Sequence, residues 1–115
     1  MSDNLLTLMQ QQMVEIIGAH AAQARNAVAR EPRRPRFCEA GASLPRHEFV
    51  PAELVAYAYL DQPLPIGYSK TTSQPFIVAL MTDLPDVRED DTVLEVGTGL
   101  GYHAAILSSL SAHIY

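Results

Sequence analysis

Apolar residues recur at intervals of three and four between Asn4 and Arg30, with Leu6, Met9, Met13 and Ile16 stepping along the segment, and this spacing predicts one long helix. Ser2 or Asp3 stands where an N-terminal cap is needed, and Glu31-Pro32 ends the segment. Gly18 weakens the middle by about 1 kcal/mol relative to alanine, which opens that point to a break. The stretch from Pro32 to Pro45 is rich in Pro, Arg, Gly and Ser and predicts an irregular connection. A second helix is expected over Pro51 to Leu60, with proline in its first turn, Leu54, Val55, Ala58 and Tyr59 on its apolar side, and Asp61-Gln62-Pro63 closing it. Leu64 to Thr72 reads as a loop whose path is fixed by its prolines and Gly67. Its apolar residues exceed what a spacer needs, so it is expected to line something. Ser73 then precedes a helix over Gln74 to Met81 that stops at Pro85. A strand over Thr92 to Val96, a helix opening near Gly101 and the start of a second strand at Ala112 to Tyr115 complete the pattern. Tyr57, Tyr59 and Phe76 fall at helical positions and are expected in the core.

The 115 residues allow at most one small domain. One strand and the beginning of another bury too little for a parallel sheet, which needs several strands covered on both faces, so the chain is expected to be the N-terminal part of a larger protein. Its net charge of -5 argues against nucleic acid, since phosphate binding draws on clustered cations. The one basic group, Arg30, Arg33, Arg34 and Arg36, is interrupted by Pro32 and Pro35 and reads as a solvated loop. No apolar run approaches the roughly 18 residues of a membrane span, and the N-terminus has no signal-peptide pattern, so a cytoplasmic location is expected. Cys38 is the single cysteine and reads as a small buried filler in a reducing compartment. His20, His47, His103 and His113 show no ligand spacing, and Asp83, Asp86, Glu89, Asp90 and Asp91 read as a solvated turn, so no metal site is expected.

The chemistry concentrates at Val93 to Tyr102, where an apolar strand ends in Glu95 and breaks into Gly97, Gly99 and Gly101 before a helix opens. Alternate glycines permit positive φ and close approach of a ligand to the backbone. A dinucleotide binder requires its third glycine three residues after the second, where Tyr102 stands here. The alternating spacing behind Glu95 instead resembles the first motif of class I S-adenosylmethionine-dependent methyltransferases. Tyr102 is left with two roles, packing near a cofactor or covering the sheet. Ser73 also has two: an N-cap worth about 1 kcal/mol, or part of a seat for a carboxylate beside free amides at the positive end of a helix.

Four motifs, Arg46-His47-Glu48-Phe49-Val50-Pro51, Pro63-Leu64-Pro65-Ile66-Gly67, Thr71-Thr72-Ser73-Gln74-Pro75 and Leu94-Glu95-Val96-Gly97-Thr98-Gly99, occur in an order and spacing that resembles the protein-L-isoaspartate O-methyltransferase family. The resemblance runs from about Met13 to the end of the chain. It implies an α/β fold: a helical region with a substrate loop over residues 1–88, then the first strand and helix of a Rossmann-like sheet over residues 89–115, truncated. It further implies transfer of a methyl group from S-adenosylmethionine to the free carboxylate of isoaspartyl residues in damaged proteins, whose ester collapses to a succinimide that can hydrolyse to aspartate. Ser73 matches the active-site serine. The resemblance implies that Ile66, Gly67, Thr71 and Thr72 join it in binding substrate. Cofactor contacts are implied for Thr71, Thr72, Ser73, Glu95, Gly97, Thr98, Gly99, Gly101 and Tyr102. Thr72 departs from the family's usual isoleucine, which puts substrate fit in question. The acid expected to hold the cofactor's ribose falls beyond Tyr115, so these residues alone are expected to bind cofactor weakly and to lack activity. A methyltransferase acting on another peptide or small-molecule carboxylate, and a non-catalytic helical interaction fragment, are the other readings.

Overall fold

The computed structural model describes residues 2–27 and 36–115, with the side chains of residues 24–27 outside the description. The expected helix end at residues 28–30, the stop at Glu31-Pro32 and the arginines at 30, 33 and 34 lie outside the described residues. Helix α1 runs Asp3–Ala27 without a break at Gly18. Ser2 caps it, its Oγ accepting the Leu5 amide at 3.3 Å. The buried face is Leu6, Gln10, Met13, Val14 and Ile17, whereas Ile16, expected inward, is 48% exposed. Gln10 takes a core position because its Nε2 donates to the carbonyls of Gly41, Ala42 and Leu44 at 2.9, 3.0 and 3.0 Å.

Those carbonyls belong to the end of α2 (Phe37–Ser43), a short helix where an irregular connection was expected. Local composition argued for a loop, but Phe37, Cys38 and Ala40 bury against α1, and tertiary packing overrides weak propensity. Cys38 is the buried filler foreseen for it. The helix expected over Pro51 to Leu60 is a tighter 3₁₀ helix, Ala52–Tyr57, preceded by another at Arg46–Glu48. Ala58 and Tyr59 are buried and Phe76 packs at the core margin, but Tyr57 lies outside it at 48% exposure.

The expected loop over Leu64 to Thr72 is an antiparallel hairpin of β1 (Leu64–Gly67) and β2 (Lys70–Thr72), with Leu64 opposite Thr72. Tyr68 and Ser69 at its tip both have positive φ, the conformation of a primed hairpin turn that matches strand twist. The turn was hidden because neither residue is glycine, asparagine or aspartate. Helix α3 (Pro75–Asp83) follows with proline in its first turn. Strands β3 (Thr92–Val93) and β4 (His113–Ile114) pair in parallel and are joined through α4 (Tyr102–Ser108). Their ladder continues as Tyr115 N to Val93 O at 2.8 Å and Glu95 N to Tyr115 O at 2.7 Å. Both strands and the intervening helix are found where expected, with the strands shorter than the expected Thr92 to Val96 and Ala112 to Tyr115. The core gathers Leu6, Met13, Val14 and Ile17 with Phe37, Val78, Ala79, Tyr102 and Ile106. Among the described residues, no helix is long and apolar enough to cross a membrane and no cluster could hold a metal ion. Arg36, the described member of the arginine group, is turned toward Asp86 and the Val87 carbonyl.

Replacing Gln10 with Leu strands three inward-facing carbonyls and is expected to cost about 2 kcal/mol, read as a lower urea midpoint at unchanged slope.

Candidate active site

Strand β3 and its extension to Glu95 lead directly into the glycine turn. Gly97 and Gly99 hold φ of 76° and 59°, a region that a Cβ disfavours. A Cβ built on Gly97 meets no protein atom within 4 Å, and one on Gly99 meets only the Gly97 carbonyl at 3.9 Å. The space over the turn is thus open, and it forms part of a cleft of about 470 Å³, within the size range of small-molecule sites.

The cleft brings together residues that lie far apart in sequence. Ile66, Thr71, Thr72 and Ser73 line it from the hairpin side, and Glu95, Gly97, Thr98 and Gly99 from the turn. Tyr102 and His103 add the first turn of α4. Two expected positions do not reach the lining. Gly67 sits at the hairpin turn with φ 93°, and Gly101 serves as the N-cap of α4 with φ 87°, so both shape the backbone around the cleft. Tyr102 is buried, its ring in edge contact with Phe37 and Phe49 at 6.4 and 5.5 Å between centroids. Burial raises its phenol pKa, partly opposed by Arg46. Most of this residue serves the core.

Ser73 is not the cap of α3. Gln74 holds that position without a side-chain bond, and the first-turn amide of Phe76 donates to Asp61 Oδ1 at 2.9 Å. A carboxylate of the chain itself therefore occupies the helix end where an anion seat was expected. Ser73 is exposed at the cleft, with its carbonyl accepting Arg46 Nη2 at 3.0 Å. No sequence pattern signals this bond: Arg46 stands in a recognised motif without an assigned role, and Asp61 reads only as a helix stop.

Glu95 supplies the cleft with a half-buried carboxylate. Its Oε1 is shielded from solvent and has no hydrogen-bond partner, and Oε2 lies 3.8 Å from His103 Nδ1. An acceptor left open in a low-dielectric wall favours a cationic donor such as an ammonium group. His103 Nε2 meets Thr82 Oγ1 at 3.0 Å, and Thr82 Oγ1 donates to the Val78 carbonyl at 2.7 Å, so the ring bridges α4, α3 and the turn. His103, which showed no ligand spacing in the sequence, makes this structural contact and also stands beside the Glu95 carboxylate.

A model of the protein-L-isoaspartate(D-aspartate) O-methyltransferase family matches residues 20–114. The chain belongs to this family. It is 49% identical over its whole length to protein-L-isoaspartate O-methyltransferase 1 of Polaromonas sp. strain JS666, covering 49% of that protein. It is 52% identical over 103 residues to protein-L-isoaspartate O-methyltransferase 2 of Syntrophobacter fumaroxidans, which covers 90% of the chain and 42% of the relative. A solved protein-L-isoaspartate O-methyltransferase superposes with a TM-score of 0.66 at 25% identity, over 88% of the chain and 30% of that structure. The chain spans about half the length of the curated relatives it matches. Its α/β architecture is that of the family, with the parallel β3–β4 pair belonging to the Rossmann-like sheet.

Burial lowers the His103 pKa below its ordinary 6.5, partly opposed by Glu95. Between the lowered value and 6.5 the unfolded chain binds more protons, so stability rises with pH there and falls on acidification. Urea unfolding at pH 7 and near pH 5.5 is expected to show this loss, and His103→Gln to reduce it.

Proposed function

We propose that the protein carrying this chain is a protein-L-isoaspartate O-methyltransferase that esterifies the free carboxylate of isoaspartyl residues in damaged proteins, with S-adenosylmethionine as methyl donor. The observation that carries this reading is one cleft lined by both Ser73 and the glycine turn, with the Glu95 carboxylate in its wall. The residues present fit the donor. The Glu95 carboxylate would favour its ammonium group, and Gly97, Thr98 and Gly99 would lie along its methionine portion, where backbone amides are reachable without a Cβ. When bound, the donor supplies an electrophilic methyl group on a sulfonium.

The chain's own task is positioning. A carboxylate with a pKa of about 4 is ionised at neutral pH, so no strong general base is required, and alignment with exclusion of water carries the acceleration. The Ser73 hydroxyl is free to donate to one oxygen of the substrate carboxylate and orient the other. Ile66, Thr71 and Thr72 bound the substrate from the hairpin, while Gly67, Gly101 and Tyr102 act by holding the surrounding backbone and core. Residues 1–88 would form the substrate-side region and residues 89–115 the opening of the cofactor-binding sheet. Thr72 in the lining supports a second reading, in which a different peptide carboxylate is preferred. A cytoplasmic setting suits the lone buried thiol of Cys38.

The deciding experiment compares isoaspartyl and aspartyl versions of one peptide as methyl acceptors for the full-length protein. Methylation of the isoaspartyl peptide alone is expected, and equal or absent methylation overturns the assignment. Ser73→Ala should lower kcat by about tenfold or more, the scale set by lost alignment, with cofactor affinity unchanged. Gly99→Val, which places a branched side chain in the left-handed region and in the cleft, should weaken donor binding by about tenfold or more in titration calorimetry.

A further inference from the structure

We infer that Arg46 is a positioning residue for this reaction, setting the location of Ser73 relative to the glycine turn. The inference rests on the assignment of Ser73 above. Arg46 is only 1% exposed, and its planar fork spans separate pieces of chain. Nε donates to the Ala58 carbonyl at 2.8 Å and Nη2 to the Ser73 carbonyl at 3.0 Å. The guanidinium carbon lies 4.7 Å from the centre of the Tyr102 ring. Tyr102 follows Gly101 and opens α4, so one cation touches both the segment that carries Ser73 and the helix that leaves the cofactor turn.

A buried cation is an expensive way to fill a core. Desolvation disfavours its charge, and here Tyr102, Tyr59 and Asp61 offset that only in part. Nη1 is buried without a hydrogen-bond partner. An apolar side chain would pack that space without the desolvation cost but would leave the Ala58 and Ser73 carbonyls unbonded. What the guanidinium adds is a fixed place for Ser73. Its carbonyl is held by Arg46, and three residues later the Phe76 amide is held by Asp61. The intervening Gln74-Pro75 has little freedom, since proline fixes its own φ and restricts the residue before it. The exposed Ser73 hydroxyl, which has no anchor of its own among the described residues, takes its position from this clamped backbone.

The test is a double-mutant cycle in the full-length protein with isoaspartyl peptide as substrate. Arg46→Met and Ser73→Ala are made singly and together, with kcat, KM, donor affinity and melting temperature measured for each. If Arg46 acts through Ser73, Arg46→Met lowers kcat about tenfold or more in the parent, yet adds under about twofold to Ser73→Ala. Arg46→Lys should stay impaired, because one ammonium cannot reproduce the fork. Millimolar guanidinium should restore turnover to Arg46→Ala and leave Arg46→Ala/Ser73→Ala unchanged. Losses that multiply, or an Arg46→Met enzyme with parental kcat, overturn the inference while leaving the serine assignment standing. Ser73→Ala with parental turnover overturns the serine assignment and the inference together. Variants that stay unfolded even with guanidinium assign Arg46 to the core alone and overturn it as well.

Discussion

Short elements leave many backbone groups without partners, and in this chain buried and half-buried side chains from distant positions satisfy them. Gln10 of α1 closes the carbonyls at the end of α2, Arg46 ties Ala58 to Ser73, and Asp61 caps α3. Thr82 and His103 join α3 to α4, and Ser111 holds the Asp91 carbonyl beside the parallel strands. An unpaired buried amide or carbonyl costs as much as a lost hydrogen bond, so each of these contacts constrains where its element can lie. The apolar contacts of Phe37, Ile17 and Ile106 supply cohesion, which is non-directional. The polar ties decide the relative placement of the segments.

That placement creates the cleft. The hairpin, the start of α3, the end of β3 and the first turn of α4 all contribute lining residues, though they come from separate stretches of sequence. Its electrostatic character is set by the Glu95 carboxylate in its wall and by a neighbouring histidine that burial inclines to neutrality. This combination places a carboxylate on the strand side and hydroxyls on the hairpin side. The positive end of α3 is not available to a substrate, since Asp61 already uses it. Ser73 therefore contributes a hydroxyl held by its backbone, and the helix dipole has little part in the site.

The glycine turn was legible because its chemistry is local. Positive φ at Gly97 and Gly99 follows from residue type, and a strand before and helix after were written in adjacent residues. The long α1 was legible for the same reason, as was Ser2 as its cap. Helix α2 was not, because Phe37-Cys38-Glu39-Ala40-Gly41 is a poor helix in isolation and becomes one through burial against α1. The hairpin was missed because Tyr68 and Ser69 adopt a turn normally given to glycine or asparagine.

The sequence by itself determined the family, the glycine turn and most of the residues that line the cleft, since each is carried by residue type at short fixed spacing. Only the tertiary structure decided that Gly67 and Gly101 stand outside the lining, that Tyr102 is buried in the core at the cleft's edge, and that Asp61 rather than Ser73 caps α3. It alone brought the Arg46 guanidinium to the Ser73 carbonyl across 27 residues. Side-chain bonds of that range depend on how the whole chain packs, and no periodicity or motif in one segment encodes the partner that another segment will present.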